Sequence, residues 1–211
     1  MKNAEFLFFD VGYTLSDETA VWEERARLHA ATSEAAARGL CASDIFKAFE
    51  RASARREAPY HGAMAELGLA ERFPYRSDLE SVYPEAGDVL KRLSERFKLG
   101  VIANQQPGLR DRLREMRLLS FFSVVISSED YPFRKPDLRL FREGLRAAGV
   151  AAQKAVMIGD RIDNDVLPAK ALGMGTVRVL QGLGTLQTPE TDADTPDCTV
   201  NSLRELIPIF L

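Results

Sequence analysis

Acidic residues follow two apolar runs of strand length, and their carboxylates are the strongest candidates for chemistry. Asp10 ends the run Phe6–Phe9 in FLFFDVGYTL, and Asp160 ends another run in VMIGDRIDNDV, with Asp163 and Asp165 in the next turn. A carboxylate at the end of a buried strand projects into the crevice where an open α/β sheet binds its ligand. Crowded carboxylates repel one another, and a hard divalent cation with oxygen ligands offsets that repulsion. The pattern favours Mg²⁺, which leaves coordination positions to water and substrate phosphate.

Two further polar side chains accompany the acids. Lys135 stands at a predicted helix start in FRKPD, and a lysine near carboxylates holds a nucleophile ionised and offsets phosphate charge. Asn104 follows the apolar run Leu99–Ala103, and its amide can hydrogen-bond substrate oxygens. Taken singly, these residues have plainer interpretations: Lys135 as a surface lysine, and Asp163 and Asp165 as acids that interact favourably with the dipole at a helix N-terminus. The dipole interpretation does not account for an acid at a strand end.

Apolar runs and helical patterns alternate along much of the chain. The runs are mostly continuous, which is typical of strands buried on both faces of a parallel sheet. Helical patterns with proline near their starts or glycine past their ends lie between them, among them Asp165–Leu172 ahead of Gly173. The sequence therefore predicts an α/β fold with a doubly wound, Rossmann-like parallel sheet. The predicted strands are Phe6–Phe9, Leu99–Ala103, Ser123–Ser127, Ala155–Ile158 and Thr176–Leu180.

One stretch interrupts this alternation. Residues 16–83 contain no convincing strand run but several helical patterns, Glu18–Arg38, Ser43–Arg56 and His61–Leu69, with Gly39 and Pro59 as stops. We interpret this stretch as an all-helical cap inserted after the first strand. The predicted catalytic core then comprises residues 1–15 and 84–211, and the predicted cap comprises residues 16–83.

Composition narrows the range of partners. A formal charge of −3 and a sequence pI near 5.6 give no positive field to gather polyanions, so we expect neither nucleic acid nor a membrane as partner. Cys41 and Cys198 lack metal-type spacing and are expected to be reduced thiols. We find no signal peptide and no apolar run near the ~20 residues of a membrane span, which predicts a cytoplasmic protein. A small-molecule substrate fits best.

Taken together, the four segments around Asp10, Ala103, Lys135 and the pair Asp160 and Asp165 resemble the haloacid dehalogenase-like superfamily. Their order, strand-end placement and spacing agree with that family over nearly the whole chain. The stretches YPEAGDVLKRLSERFKLGVIAN, RKPDLRLF and AKALGMGTV are similar to the subgroup with a helical cap after the first motif. Four ordered motifs are far more specific than any one of them.

The resemblance implies roles for particular residues. Asp10 is expected to be the nucleophile, with Lys135 stabilising charge and Thr14 orienting the loop beneath the phosphate. The implied Mg²⁺ ligands are the carboxylates of Asp10 and Asp160 and the backbone carbonyl of Gly12. Asp165 would then hold a coordinated water or a ligand directly. The substrate-binding set comprises Thr14, Ala103, Asn104 and Lys135.

Two positions depart from the family pattern. Family phosphatases carry a second Asp, an acid–base group, where this chain has Gly12, and a Ser or Thr where it has Ala103. Loss of a positioned general acid–base costs on the order of 10²–10⁴ in rate. We therefore expect a preference for aryl or acyl phosphates, whose leaving groups need little protonation. Tyr13, Gln105 and His61 are candidates for positioning water instead.

The sequence thus predicts a Mg²⁺-dependent hydrolase, a phosphatase for a small phosphorylated metabolite that acts through an aspartyl-phosphate. The main alternative is a weakly active or inactive protein that binds Mg²⁺ and phosphate, which both departures motivate. A 2-haloacid dehalogenase-type hydrolase is a further alternative, because that reaction uses an Asp nucleophile without the second Asp. Family dehalogenases, however, usually have Tyr-Gly where this chain has Gly12 and Tyr13, and a Ser at Ala103.

Overall fold

A six-stranded parallel sheet lies at the centre of the fold. This computed structural model describes residues 3–211, so residues 1 and 2 of the predicted core lie outside it. The strands are β1 (Phe6–Phe9), β2 (Ser16–Asp17), β3 (Ser81–Val82), β4 (Lys98–Ala103), β5 (Phe122–Ser127), β6 (Ala155–Gly159), β7 (Gly175–Val179) and β8 (Cys198–Val200). All of these except β2 and β3 belong to the six-stranded sheet. The sheet order is β5-β4-β1-β6-β7-β8, and every neighbouring pair is parallel. The direction in which strands are added reverses at β1, so the carboxyl end of β1 is the switch point where such sheets bind ligands.

Helices cover both faces of the sheet, which confirms the predicted doubly wound α/β class. The helices of the described residues are α1 (Thr19–Ala30), α2 (Ser33–Ala37), α3 (Ala42–Ala54), α4 (Pro59–Leu67), α5 (Ala86–Ser94), α6 (Leu109–Glu115), α7 (Leu138–Ala148), α8 (Leu167–Ala171) and α9 (Leu206–Phe210). Helices α5 to α9 are the ones that pack against the sheet. Within residues 3–211, none of the helices has the length and apolarity that a bilayer crossing requires.

The continuous apolar run of β1 serves two separate cores. Side chains alternate along a strand, so Leu7 and Phe9 belong to the cluster that includes residues of α5, α6 and α9. Phe6 and Phe8 lie on the opposite face with residues of α7 and α8. Full burial of all four strand residues explains why the run shows no apolar/polar alternation.

Residues 16–83 contain four helices whose apolar side chains form a third cluster. That cluster contains Trp22, Phe49, Tyr60 and Met64 of these helices, together with Leu183 from beyond β7. The stretch is not wholly helical, because β2 and β3 form a short antiparallel pair, with Ser16 opposite Val82, where the stretch begins and ends. A two-residue strand is too short to produce a detectable sequence pattern.

Two predicted helices are interrupted in the structure. The predicted helix Glu18–Arg38 divides into α1 and α2, because Thr32 is extended and its hydroxyl accepts a hydrogen bond from the Ala35 amide at 3.2 Å. Such a cap starts a new helix. The predicted helix Asp165–Leu172 begins instead with a π-helical turn, Ile162–Val166, that leads into α8.

Candidate active site

Three carboxylates converge at the carboxyl ends of β1 and β6. These strands are neighbours, and the Asp10 amide donates to the Ile158 carbonyl at 2.9 Å, so Asp10 and Asp160 leave the sheet side by side. Asp165 joins them from the π-helical turn after β6. One oxygen from each carboxylate lies within 4.8 Å of the others. The structure thus brings together the three acids that the sequence singled out, although they are far apart along the chain.

Lys135 is buried beside these carboxylates. Its Nζ donates to Asp10 Oδ1 at 2.7 Å and to Asp165 Oδ1 at 2.6 Å, and the residue is 3% exposed. Asn104, which follows β4, fixes the Lys135 backbone from both sides. The Asn104 Oδ1 accepts from the Lys135 amide at 2.7 Å, and its Nδ2 donates to the Lys135 carbonyl at 2.9 Å. The amide predicted to bind substrate therefore already has two protein partners and positions the lysine.

Burial and mutual repulsion dominate the electrostatics of the acids. Burial, with the nearby charges of Asp165 and Asp10, raises the pKa of Asp160 well above its usual range. Burial also raises the pKa of Asp165, to about 6, although the Lys135 ammonium opposes the shift. For Lys135, burial alone would lower the pKa, but the two bonded carboxylates outweigh it and hold the pKa above its ordinary value.

This donor set fits a hard divalent cation. Three carboxylates at one place exceed the single buried ammonium that pairs with two of them, Asp10 and Asp165. Oxygen ligands of this kind suit Mg²⁺ and Ca²⁺ and not the softer metals that prefer thiolate or imidazole. Asp163, in contrast, pairs with Arg161 at 2.6 Å and lies outside the cluster.

A turn from beyond β7 closes over Asp160. The segment Gly182–Leu186 forms a 3-10 helix, and a Cβ on Gly184 would overlap Asp160 Oδ2 and lie 2.8 Å from the Asp160 carbonyl oxygen. Buried Arg178 of β7 holds the two segments together, donating to the Asp160 carbonyl at 3.1 Å and to the Gly184 carbonyl at 2.6 Å. Sequence reasoning missed this contact, although a charged residue within the apolar run of β7 was a usable signal.

The remaining predicted site residues surround this cluster. Thr14 is fully buried, and among residues 3–211 its hydroxyl has no hydrogen-bond partner. Ala103 ends β4 and is fully buried, so its side chain adds no polar group. Gly12 lies in the turn after β1, where it forms an isolated bridge with Ser16. The metal-binding role of the Gly12 carbonyl stays a prediction.

A cavity of about 260 Å³ lies between the helices of residues 16–83 and the loop after β4. Asn104, Gln105 and Gln106 line it from that loop, and Arg134 lies on the same wall; His61 faces it from α4. The other lining residues are Glu18, Trp22, Arg25, Ala58, Pro59, Tyr60 and Tyr75. This volume accommodates a small molecule.

Glu18 is a buried acid that sequence reasoning did not single out. The residue is 8% exposed, and Trp22 Nε1 donates to its Oε2 at 3.2 Å. Burial raises the pKa of Glu18 to about 7, and the charge of Glu80 acts in the same direction, although the Tyr75 hydroxyl opposes the shift. No motif or periodicity marks an acid in the segment before α1, so the sequence carried no signal for it.

Comparison with known proteins gives this geometry a context. A family model described as haloacid dehalogenase-like hydrolase matches residues 37–179, which is more than half of the chain. The glyceraldehyde 3-phosphate phosphatase of Methanocaldococcus jannaschii is 39% identical over 132 residues, 60% of this chain and 55% of that protein. The phosphoserine phosphatase of Thermus thermophilus is 36% identical over 161 residues, 72% of this chain and 63% of that protein. The matched part of the chain thus spans little more than half the length of these relatives.

Solved structures support the fold. A crystal structure of a HAD phosphatase from Thermococcus onnurineus superimposes with a TM-score of 0.69 at 24% identity. The alignment covers 98% of this chain and 97% of that one. The likeness extends over the helices of residues 16–83 as well as the sheet.

Proposed function

Because the chain belongs to the haloacid dehalogenase-like hydrolase family, we propose that it is a phosphatase of small phosphorylated molecules and that Asp10 is its nucleophile. The observation that carries the proposal is the placement of Asp10 at the switch point of the sheet. There its carboxylate is hydrogen-bonded by Lys135 and lies beside Asp160 and Asp165. The names of the two curated relatives, each a phosphatase of a small phosphorylated compound, support this substrate class.

The reaction begins with attack on phosphorus. An Asp10 oxygen forms a bond to phosphorus as the bond from phosphorus to the leaving oxygen breaks, which gives an aspartyl-phosphate. The Lys135 ammonium stabilises the negative charge that develops on the phosphoryl group. Because Asn104 holds the Lys135 backbone, the ammonium is already in position when that charge develops. Water then attacks phosphorus, the bond between Asp10 and phosphorus breaks, and phosphate leaves.

We propose that Asp10, Asp160 and Asp165 hold Mg²⁺. When bound, the ion offsets the charge of the carboxylates and of the substrate phosphate. Asp160 is well suited to be a ligand because Gly184 and Arg178 fix its segment while its carboxylate has no cationic partner within residues 3–211. Asp10 binds Lys135 through its Oδ1 atom, which leaves its Oδ2 atom for another ligand. Asp165 also binds Lys135 through Oδ1, and its Oδ2 accepts from the Arg161 amide at 3.1 Å, so both of its oxygens are held in position.

We also propose that residues 16–83 act as a separate cap over a core of residues 1–15 and 84–211. An apolar cluster made largely of residues from these helices, with Tyr13 and Leu183 from the core, supports this division. The pairing of Ser16 with Val82, where the stretch begins and ends, supports it as well. The cavity that lies against these helices would then receive the part of the substrate beyond its phosphate. Cap residues such as His61 would contribute to the choice of substrate.

The nucleophile assignment is tested by Asp10→Asn. The amide keeps the size of the side chain and can still accept a hydrogen bond from Lys135, so we expect a folded protein. Turnover should fall by more than about 10³-fold, because an amide cannot attack phosphorus. Phosphate release from a panel of phosphate monoesters, with Mg²⁺ and with a chelator, measures the effect.

Asp163→Asn is the matched control, since Asp163 lies between Asp160 and Asp165 in sequence but pairs with Arg161 and is outside the carboxylate cluster. It should retain turnover. Unchanged activity of Asp10→Asn would remove the nucleophile assignment. Binding of Mg²⁺ and phosphate by the wild type without any turnover would favour the alternative of an inactive binding protein.

A further inference from the structure

The space beside Gly12 is filled by the carboxyl group of Glu18. A Cβ built on Gly12 would overlap Glu18 Oε1 and lie 2.7 Å from Glu18 Cδ. A side chain on residue 12 and the present position of Glu18 are therefore mutually exclusive. A carboxyl group therefore occupies the side-chain space of residue 12, but it belongs to Glu18, which lies further along the sequence.

One hydrogen bond to the carboxyl group of Glu18 is resolved among residues 3–211. Trp22 donates to Oε2, whereas Oε1 lies beside the backbone of Gly12. No lysine or arginine among residues 3–211 forms an ion pair with Glu18. This acid therefore differs from Asp10 and Asp165, which are both held by Lys135.

Glu18 also lines the cavity that would receive the substrate. Among the residues found in the cavity wall it is the one acid; the charged residues with it are Arg25 and Arg134. The carboxyl group thus borders the cavity and also lies beside Gly12, two residues after the proposed nucleophile.

We propose that Glu18 is the proton donor and acceptor of the reaction, an inference that rests on the proposed phosphatase function. In the first step its carboxylic acid gives a proton to the leaving oxygen as the bond from that oxygen to phosphorus breaks. In the second step its carboxylate takes a proton from water as the water oxygen bonds to phosphorus and the Asp10 oxygen leaves. One proton is given and one is taken, so the enzyme returns to its starting state.

This role changes what is expected of Gly12. The preference for aryl or acyl phosphates followed from the assumption that no carboxyl group stands near residue 12. With Glu18 in that space, the wild type should turn over alkyl phosphates as well. The preference should emerge only when Glu18 loses its carboxylate.

The test is Glu18→Gln with two substrates, p-nitrophenyl phosphate and glycerol 2-phosphate. Glutamine keeps the acceptor for Trp22, so we expect a folded protein. Turnover of glycerol 2-phosphate should fall by about 10²–10⁴-fold, because its alkoxide needs a proton to leave. With p-nitrophenyl phosphate, about one equivalent of nitrophenolate per enzyme should be released at nearly the wild-type rate. Turnover should then stall, because no base activates water to hydrolyse the aspartyl-phosphate.

A side-chain exchange provides a second measurement. Glu18→Ala empties the space beside Gly12, so the double variant with Gly12→Asp can place a carboxyl group there. We expect the double variant to hydrolyse glycerol 2-phosphate at least about tenfold faster than Glu18→Ala alone. A double variant no faster than Glu18→Ala would count against the inference.

The results separate this inference from the proposed function. Equal losses on both substrates without a burst, or wild-type turnover of glycerol 2-phosphate by Glu18→Gln, would overturn the role of Glu18 and leave the phosphatase standing. A wild type that hydrolyses neither ester, or an Asp10→Asn variant as active as the wild type, would overturn both.

Discussion

Lys135 is the residue on which the charge balance of the site depends. Its ammonium is the one cation that contacts the carboxylates of both Asp10 and Asp165 among the described residues. An uncompensated charge in a buried place is costly, and removing one partner of a buried ion pair is strongly destabilising. Lys135 should therefore support the stability of the metal-free protein as well as catalysis.

We expect Lys135→Met to lower the free energy of unfolding of the metal-free protein by about 3–5 kcal/mol. Methionine keeps the unbranched chain, one atom shorter than that of lysine, but leaves the carboxylates of Asp10 and Asp165 without their cation. For the same reason, Mg²⁺ should raise the melting temperature of the variant by more than it raises that of the wild type. Thermal and urea unfolding with Mg²⁺ and with a chelator measure both effects.

Lys154→Met is the control for Lys135→Met. Lys154 pairs with Glu5 at 2.6 Å, but both side chains are more than half exposed, and such pairs contribute little to stability. A loss of stability in the Lys135 variant no larger than in the Lys154 variant would contradict the importance of the buried ammonium.

At the scale of elements, the 3-10 helix Gly182–Leu186 holds Asp160 in place without touching substrate in the proposed mechanism. Gly184→Ala adds a methyl group that would meet the Asp160 carbonyl at 2.8 Å and its Cγ at 2.9 Å, so the two segments must separate. We expect the Mg²⁺ concentration for half-maximal turnover to rise by about 10–100-fold, as happens when groups that orient ligands are disturbed. A Mg²⁺ titration of initial rates measures this change.

Gly87→Ala supplies the matched control for Gly184→Ala. Gly87 lies in α5, and a Cβ there would meet no atom within 4 Å. Alanine favours a helix over glycine by about 0.5–1 kcal/mol, so this variant should be at least as stable as the wild type. Its Mg²⁺ dependence should not change; a shift equal to that of Gly184→Ala would argue against a specific contact with Asp160.

The sequence predicted five of the six strands of the sheet and the acids that follow two of them because both signals are local. A continuous apolar run such as Phe6–Phe9 is visible within a few residues, and the placement of Asp10 follows from it. Contacts between distant segments outside the four motifs could not be predicted. The pairing of Asn104 with the Lys135 backbone and the approach of Glu18 to Gly12 depend on how turns bring separate segments together.

At the scale of the whole molecule, polar contacts join the helices of residues 16–83 to the segment after β7. Ser53 Oγ donates to the Leu183 carbonyl at 2.8 Å, and Gln187 Nε2 donates to the Ser53 carbonyl at 3.1 Å. Arg56 reaches Asp194 at 2.5 Å. These contacts involve or adjoin the 3-10 helix Gly182–Leu186, which covers Asp160. A movement of the proposed cap would therefore be transmitted through this helix to the carboxylate cluster.

Asp194 makes the contacts between the helices of residues 16–83 and the segment after β7 sensitive to acid. Burial would raise the pKa of its carboxyl group, but hydrogen bonds from Thr191 and Arg56 outweigh burial and hold the pKa well below its usual range. A folded pKa below the unfolded value of about 3.9 means that ionised Asp194 stabilises the protein above that pH. The stabilisation is lost as the pH falls towards the folded pKa.

We therefore expect Asp194→Asn to lower the free energy of unfolding by about 1–3 kcal/mol at pH 7, because the Arg56 guanidinium loses a charged partner. The difference between variant and wild type should shrink as the pH falls below about 4, because the unfolded wild-type protein then binds a proton at Asp194 that the folded protein does not. Urea unfolding of both proteins across this pH range measures the difference. The control is Asp78→Asn, which removes one partner of an exposed pair with Arg76. A difference that stays constant with pH would show that the Asp194 charge does not stabilise the contacts between the helices of residues 16–83 and the segment after β7.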